Sequence, residues 1–197
     1  MRTKICGITN LEDALNAINA GVNALGFVFY DKSPRYITAK DAAIIVKQLP
    51  PFVQCVGLFV NEEPQIINDI CKSAKMDIAQ IISEDDSTEY FNSLDTKYIK
   101  VVRAQNENDI LKHQNEYILV DAFVEGFGGA GKRVALEWFE GIDCSKFILA
   151  GGLNESNLKE LSGLNLYGID VSSGVEMSKG KKDKTKMNNF VKVANAL

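Results

Sequence analysis

Two residues with reactive side chains, a cysteine and an aspartate, each stand at the end of a short apolar run. Cys6 lies in KICGITN (4–10), and Asp121 follows the apolar residues of YILVDAF (117–123). A buried cysteine is usually a small core residue. A carboxylate at such a place costs free energy unless it is paired or functional. From the residues alone, each side chain has both a structural and a chemical interpretation.

Glycines suited to binding an anion follow two later apolar runs. Gly151 and Gly152 come after FILA, and Ser173 and Gly174 come after YGIDVS. Glycine lets backbone N–H groups approach an oxyanion closely, and barrels often bind phosphate after their last two strands. Ordinary tight turns are the structural alternative.

A third glycine-rich stretch, GFGGAGK (126–132), fits the beginning of a P-loop. Arg133 stands where the magnesium-binding Ser or Thr of a P-loop belongs. The sequence therefore favours a mobile loop that covers a site over a nucleotide hydrolase.

Eight apolar runs, most of them near-continuous, are candidates for strands, and each is followed by a helical pattern or a helix-sized gap. They span residues 4–8, 24–30, 52–60, 77–82, 97–102, 117–123, 147–152 and 167–173. This alternation predicts an α/β fold, a (β/α)8 TIM barrel formed by one domain over residues 1–197, with a doubly wound open sheet as the alternative. The active site of such a barrel lies at the carboxyl ends of its strands, where the sequence also places Arg35, Gln80, Asp170 and Ser172.

Three local signals predict details of this fold. The pattern T-x-x-E from Thr9 to Glu12 indicates a capping box at the start of the first helix, and Gly21 indicates its end. The lysine-rich stretch 178–186 is interpreted as a solvated loop and helix start.

Composition excludes several classes of protein. The net charge of -4 argues against a general binder of nucleic acid or anionic membranes. The four cysteines form no CxxC pair and there is one histidine, so we expect no zinc site and no disulfide framework. No signal peptide or apolar run of membrane-spanning length is present, so we expect a soluble protein of a reducing cytoplasm. The oligomeric state stays open.

Seven motifs together resemble the phosphoribosylanthranilate isomerase family. They are KICGITN, GFVFYDKSPRYI, VGLFVNE, ILVDAF, GFGGAGK, LAGGLNESN and GIDVSSGVEMSKGKKD, and they follow the family's order over nearly the whole chain. The resemblance implies a (β/α)8 barrel without cofactor or metal. It implies an Amadori rearrangement of N-(5-phosphoribosyl)anthranilate to 1-(2-carboxyphenylamino)-1-deoxyribulose 5-phosphate.

The resemblance also implies roles for single residues. The family's catalytic cysteine falls on Cys6, its catalytic aspartate on Asp121, and the arginine that faces the anthranilate carboxylate on Arg35. The rearrangement needs an acid to open the ring and a base at C2′, which makes Asp121 the candidate acid and Cys6 the candidate base. We expect the site to favour the thiolate of Cys6 and a protonated Asp121. The substrate-binding residues implied by the motifs, including the phosphate loops, are Arg35, Gln80, Gly128, Gly129, Gly151, Gly152, Asp170, Ser172, Ser173 and Gly174.

The chain departs from the family pattern at Ile82, where the family often has histidine, and at Ala130, where it usually has Thr or Ser. Two alternatives stay open. One is another phosphate-binding barrel enzyme, and the other is a catalytically silent protein that binds a phosphorylated metabolite. Acceptance of a related aminoaldose from histidine synthesis also stays open.

Overall fold

Eight parallel strands close into a barrel. The computed structural model describes residues 1–122 and 133–197. The strands are β1 Arg2–Cys6, β2 Ala24–Val28, β3 Gln54–Val60, β4 Ile78–Ile82, β5 Tyr98–Ala104, β6 Ile118–Ala122, β7 Phe147–Leu149 and β8 Gly168–Val171. Because β1 pairs with both β2 and β8, the sheet has no open edge. The predicted (β/α)8 barrel is confirmed, and the open-sheet alternative is wrong.

The connections are less regular than the barrel. The helices are α1 Leu11–Ala20, α2 Ala39–Val46, α3 Pro64–Ala74, α4 Thr88–Asn92, α5 Glu107–Leu111 and α6 Lys184–Ala194. Among the described residues, the connections after β6 and β7 contain only 3₁₀-helical turns, at Leu136–Phe139 and Leu158–Leu161. No helix in the described ranges has the length and apolarity needed to cross a membrane.

The lysine-rich stretch after β8 is more structured than the sequence indicated. Residues 173–175 form a 3₁₀ turn, and β9 (Glu176–Ser178) pairs antiparallel with β10 (Lys181–Lys182). The prediction of a solvated loop is wrong at Lys182, because its backbone N–H donates to Asp13 of α1 at 2.9 Å and its side chain is buried. The hairpin is thereby fixed to the first helix.

The two faces of each strand have different environments. On β1, Ile5 belongs to the large core between the strands and the helices. Side chains alternate along a strand, so Lys4 and Cys6 share the opposite face, which lines the barrel interior. On β6, Leu119 lies in the small core inside the barrel, and Asp121 is two residues further along the same face. Alternation therefore directs Cys6 and Asp121 into the barrel mouth.

The first helix begins one residue later than the capping box predicted. Asn10 is the N-cap, and its Oδ1 accepts a hydrogen bond from the N–H of Asp13 at 2.8 Å. Thr9 instead donates its hydroxyl to the Gly180 carbonyl at 2.6 Å. Gly21 ends the helix with a φ of 98°, as predicted.

This cap leads to a test on stability. Asn10→Ala should lower the free energy of unfolding by about 1 kcal/mol, because the N–H of Asp13 loses its acceptor. Glu12→Ala is the matched control and should change the free energy little, since Glu12 is an exposed residue of the first turn. Urea unfolding at constant pH measures both. An equal decrease in the free energy of unfolding of the two variants would support the Thr9–Glu12 capping box instead.

Candidate active site

One cavity at the carboxyl ends of the strands gathers many of the predicted site residues. Its apolar walls include Leu58, Val101 and Leu119. Among the residues lining it are six of the predicted ones, namely Cys6, Arg35, Gln80, Asp121, Asp170 and Ser172. The barrel thus brings residues from five strands or the loops after them to one place.

The thiol of Cys6 has room because its neighbour is a glycine. Cys6 is in register with Gly26 of β2. A Cβ atom on Gly26 would lie 2.8 Å from the Cys6 sulfur and 2.9 Å from its Cα, which is closer than real Cβ contacts come. Cys6 itself is 5% exposed and forms no disulfide. Gly26 therefore allows the sulfur to occupy this corner of the barrel mouth.

Asp121 reaches the same cavity from β6. It is paired in register with Arg103 of β5, and its Oδ1 accepts a hydrogen bond from the N–H of Ala122 at 2.8 Å. β1 and β6 are separated by β7 and β8 around the barrel. The thiol and the carboxyl therefore stand on different walls of one cavity.

The loops after β7 and β8 pack against each other. Gly151 and Gly152 adopt positive φ values of 87° and 61°. A Cβ on Gly174 would lie 1.9 Å from the carbonyl oxygen of Leu153, so only glycine fits there. Ser173 begins the 3₁₀ turn beside this contact. The predicted phosphate-binding residues thus lie on two adjoining loops, whereas Gly128 and Gly129 lie outside the described residues.

Arg35 is already engaged by a carboxylate of the chain itself. Its Nε and Nη2 donate to the two carboxylate oxygens of Glu176 at 2.7 and 2.8 Å. Glu176 also accepts from the ammonium of Lys182 at 2.9 Å, and that ammonium donates to the Ser172 carbonyl at 3.2 Å. This network joins Arg35 to the β9–β10 hairpin and to the loop after β8.

Comparison with known proteins assigns the chain to a family. The profile of N-(5'phosphoribosyl)anthranilate (PRA) isomerase matches residues 3–193. N-(5'-phosphoribosyl)anthranilate isomerase from a Nitratiruptor species is 59% identical over 194 residues, covering 98% of each chain. The enzyme of that name from a Sulfurovum species is 52% identical over 197 residues, covering 100% of each.

The chain belongs to the N-(5'-phosphoribosyl)anthranilate isomerase family. A crystal structure of phosphoribosyl anthranilate isomerase in complex with reduced 1-(o-carboxyphenylamino)-1-deoxyribulose 5-phosphate superposes with a TM-score of 0.85. It shares 39% sequence identity and covers 100% of both chains. The chain is therefore an isomerase, as the motifs predicted.

Burial shifts the pKa values of Asp121 and Cys6, the two residues predicted to transfer protons, in the same direction. Burial raises the pKa of Asp121 to about 6, which shifts the carboxyl in the expected direction, although most of it is still ionised near pH 7. Burial also raises the pKa of Cys6 above its ordinary value, although Lys4 and Lys182 pull it down. The expectation that the site favours thiolate is wrong for the protein without substrate, where the thiol is neutral near pH 7.

Several residues of the isomerase site were missed from the sequence. Lys4 lies in a buried strand two residues before Cys6, and this charged residue within an apolar run was a signal that pointed to it. Gly26 carried no signal, because its role depends on strand register. Glu176 carried none either, because its partners Arg35 and Lys182 are brought to it by the folded hairpin.

The raised pKa of Asp121 predicts a pH-dependent gain of stability in Asp121→Asn. The folded protein holds this proton more tightly than the unfolded chain, so ionisation above pH 6 costs folding free energy. The variant should exceed the wild type by on the order of 2 kcal/mol at pH 8, with the gain vanishing as the pH falls towards 4. Urea unfolding at a series of pH values measures it.

Asp143→Asn is the control with the opposite sign. Hydrogen bonds from Ser145 lower the pKa of Asp143, so its ionised form stabilises the folded protein. That variant should lose stability at pH 8 and differ less from the wild type in acid. A constant difference for Asp121→Asn across the pH range would contradict the assigned pKa.

Proposed function

We propose that Cys6 and Asp121 transfer the protons in the reaction of this chain, the isomerisation of N-(5-phosphoribosyl)anthranilate to 1-(2-carboxyphenylamino)-1-deoxyribulose 5-phosphate. The observation that carries the proposal is that both side chains line one cavity at the barrel mouth. Family membership supports the reaction. In this proposal Cys6 is the general base and Asp121 the general acid.

The acid acts first. Ring opening breaks the bond between C1′ and the ring oxygen, and that oxygen must gain a proton as it leaves. Asp121 supplies the proton, while the nitrogen lone pair forms the C1′=N bond of a cationic Schiff base. The pKa of about 6 leaves a useful fraction of Asp121 protonated near neutral pH, since a general acid works best when its pKa is close to the working pH.

The base acts second. The Schiff base cation acidifies the proton on C2′, because the C–H electron pair can move towards the nitrogen as the proton leaves. Cys6 as thiolate takes this proton and becomes a thiol, and the substrate becomes a neutral enolamine. Protonation of the enolamine at C1′ and loss of the hydroxyl proton at C2′ give the ketone. The substrate cation favours thiolate beside it, which offsets the effect of burial.

The phosphate, the carboxylate and the sugar of the substrate each have a proposed partner. The phosphate lies on the loops of Gly151, Gly152, Ser173 and Gly174, where Gly151 and Gly152 adopt positive φ values and Gly174 lets the two loops pack closely. The anthranilate carboxylate lies against Arg35, whose guanidinium has more N–H donors than the two that bind Glu176. The sugar is contacted by the remaining predicted residues that line the cavity, Gln80, Asp170 and Ser172.

The proposed role of the Cys6 thiol also indicates the cellular compartment of the enzyme. A general base must stay reduced, and a cytoplasm keeps thiols reduced. All four cysteines are free in the structure. We therefore place the enzyme in the cytoplasm, with a phosphorylated small molecule as its substrate.

Loss of either group should lower kcat with little effect on KM. Cys6→Ser and Asp121→Asn should each reduce kcat by about 10²–10⁴-fold, because general acid–base groups contribute on that scale. The measurement is turnover of freshly prepared aminoaldose. Wild-type protein without turnover would favour a silent binding protein, and Cys6→Ser with wild-type kcat would make the thiol a core residue.

The pH profile of kcat/KM for the wild type should be bell-shaped. The lower pKa, that of Asp121, should set its acid limb, and the higher pKa, that of Cys6, should set its alkaline limb. Because Asp121 titrates near pH 6 and Cys6 above its ordinary value, the active form with thiolate and neutral carboxyl is a minor species of the free enzyme. The acid limb of kcat/KM should therefore fall near pH 6, and the alkaline limb above about pH 8.5. A single limb over this range would contradict the pairing.

Gly174→Ala tests the phosphate loops. The added Cβ would push against the Leu153 carbonyl and separate the two loops, so KM should rise by about tenfold or more while kcat changes less. Gly141→Ala is the matched control: its φ of 76° strains alanine, but among the described residues no atom beyond the two adjacent residues lies within 4 Å of the new Cβ. The control should lose stability and keep its KM. A wild-type KM in Gly174→Ala would contradict the binding of the substrate phosphate at these loops.

A further inference from the structure

A buried lysine lies beneath the catalytic thiol. Lys4 is 7% exposed and shares the inner face of β1 with Cys6. Its ammonium donates to Asp170 Oδ1 at 2.9 Å, and Asp170 is 8% exposed. A lysine is almost never buried to this extent without a partner, because taking its charge out of water is costly. The β1–β8 register, in which Lys4 is paired with Asp170, provides that partner.

The same ammonium lies close to the thiol, because Lys4 and Cys6 are two residues apart on one face of β1 and its partner Asp170 lines the cavity together with Cys6. The positive charge of Lys4 lowers the pKa of Cys6. Burial pulls the pKa of Lys4 down, but Asp170 and Cys6 raise it above the ordinary value overall, so Lys4 stays charged. Among the described residues, the charged and titratable groups around the sulfur are Lys4 on β1, Tyr30 and Arg35 after β2, Asp121 on β6, Asp170 on β8 and Lys182 on β10.

We propose that Lys4 is a positioning residue for the reaction, whose ammonium, held by Asp170 on the inner face of the barrel, stabilises the thiolate form of Cys6. The inference rests on the proposed function, because it explains how a buried thiol serves as a base. When Cys6 releases its proton, the ammonium gains a charge-assisted hydrogen bond to sulfur. When Cys6 takes the substrate proton, Asp170 remains as the partner of Lys4. Lys4 therefore has a counter-charge in both states.

Lys182 is the matched comparison. It is also a buried lysine whose charge lowers the pKa of Cys6, but it lies on β10, and its ammonium binds Glu176 and the Ser172 carbonyl. A Lys→Met change at either position removes one ammonium and keeps an unbranched apolar side chain. If the position of Lys4 on the same strand face as Cys6 matters, the effect on Cys6 must be larger at Lys4 than at Lys182.

The experiment titrates the thiol without using turnover. Full-length wild type, Lys4→Met and Lys182→Met are treated with iodoacetamide over a range of pH, and mass spectrometry follows the peptide that contains Cys6. Because only thiolate reacts, the rate follows the thiolate fraction. The alkylation midpoint should rise by about one pH unit or more in Lys4→Met, a roughly tenfold slower rate at fixed pH below the midpoint, and by less in Lys182→Met. An unchanged midpoint in folded Lys4→Met, or equal shifts in the two variants, would overturn the proposal.

A double variant guards against misfolding. Lys4→Met leaves the Asp170 carboxylate buried without its partner, whereas Lys4→Met with Asp170→Asn removes both charges and is better tolerated. Its Cys6 midpoint should still lie above that of the wild type, since Lys4 acts on the thiol more strongly than Asp170 does. A midpoint at or below the wild-type value would overturn the proposal.

Failure of this inference is distinguishable from failure of the proposed function. If the midpoint shifts as expected but Cys6→Ser retains wild-type kcat, the base assignment fails and the effect of Lys4 on the thiol stands. If Cys6→Ser is inactive and the midpoint does not move, only the role of Lys4 fails.

Discussion

The pairing of β1 with β8 is the constraint on which the site depends. It closes the barrel, and its register sets Lys4 opposite Asp170. An open sheet would leave β1 and β8 at two distant edges, and the thiol and Asp170 would not share a cavity. Closure also buries both members of the ion pair, so each needs the other to offset the loss of solvation. Fold and site therefore depend on the same contact.

The buried ionisable side chains at the mouth of the barrel are of two kinds. The first kind is joined in ion pairs, and its members are Arg35, Glu176, Lys182, Lys4 and Asp170. The second kind is Cys6 and Asp121, and burial raises the pKa of each. The groups proposed to move protons are thus those that burial favours in their neutral forms, and a charged substrate is what changes that balance.

The sequence predicted the parts of the structure that depend on local pattern. Apolar runs identified all eight barrel strands, and Gly21 marked the end of the first helix. The ends of the apolar runs, together with the motifs, identified Cys6 and Asp121. The predicted cap of the first helix was wrong by one residue, because the Thr9 hydroxyl donates to the distant Gly180 carbonyl.

The site contacts that the sequence did not predict join segments far apart in the chain. Arg35 and Glu176 are 141 positions apart, and Lys182 looked solvated until the β9–β10 hairpin placed it between Glu176 and Ser172.

Substrate carrying deuterium at C2′ distinguishes the two successive proton transfers assigned to Cys6 and Asp121. The measurement is the isotope effect on kcat in wild type and in both catalytic variants. We expect an isotope effect in Cys6→Ser at least as large as in wild type, because removal of the C2′ proton then limits turnover. We expect a suppressed effect in Asp121→Asn, where ring opening becomes limiting. A full effect in Asp121→Asn together with none in Cys6→Ser would contradict the assignment of base and acid.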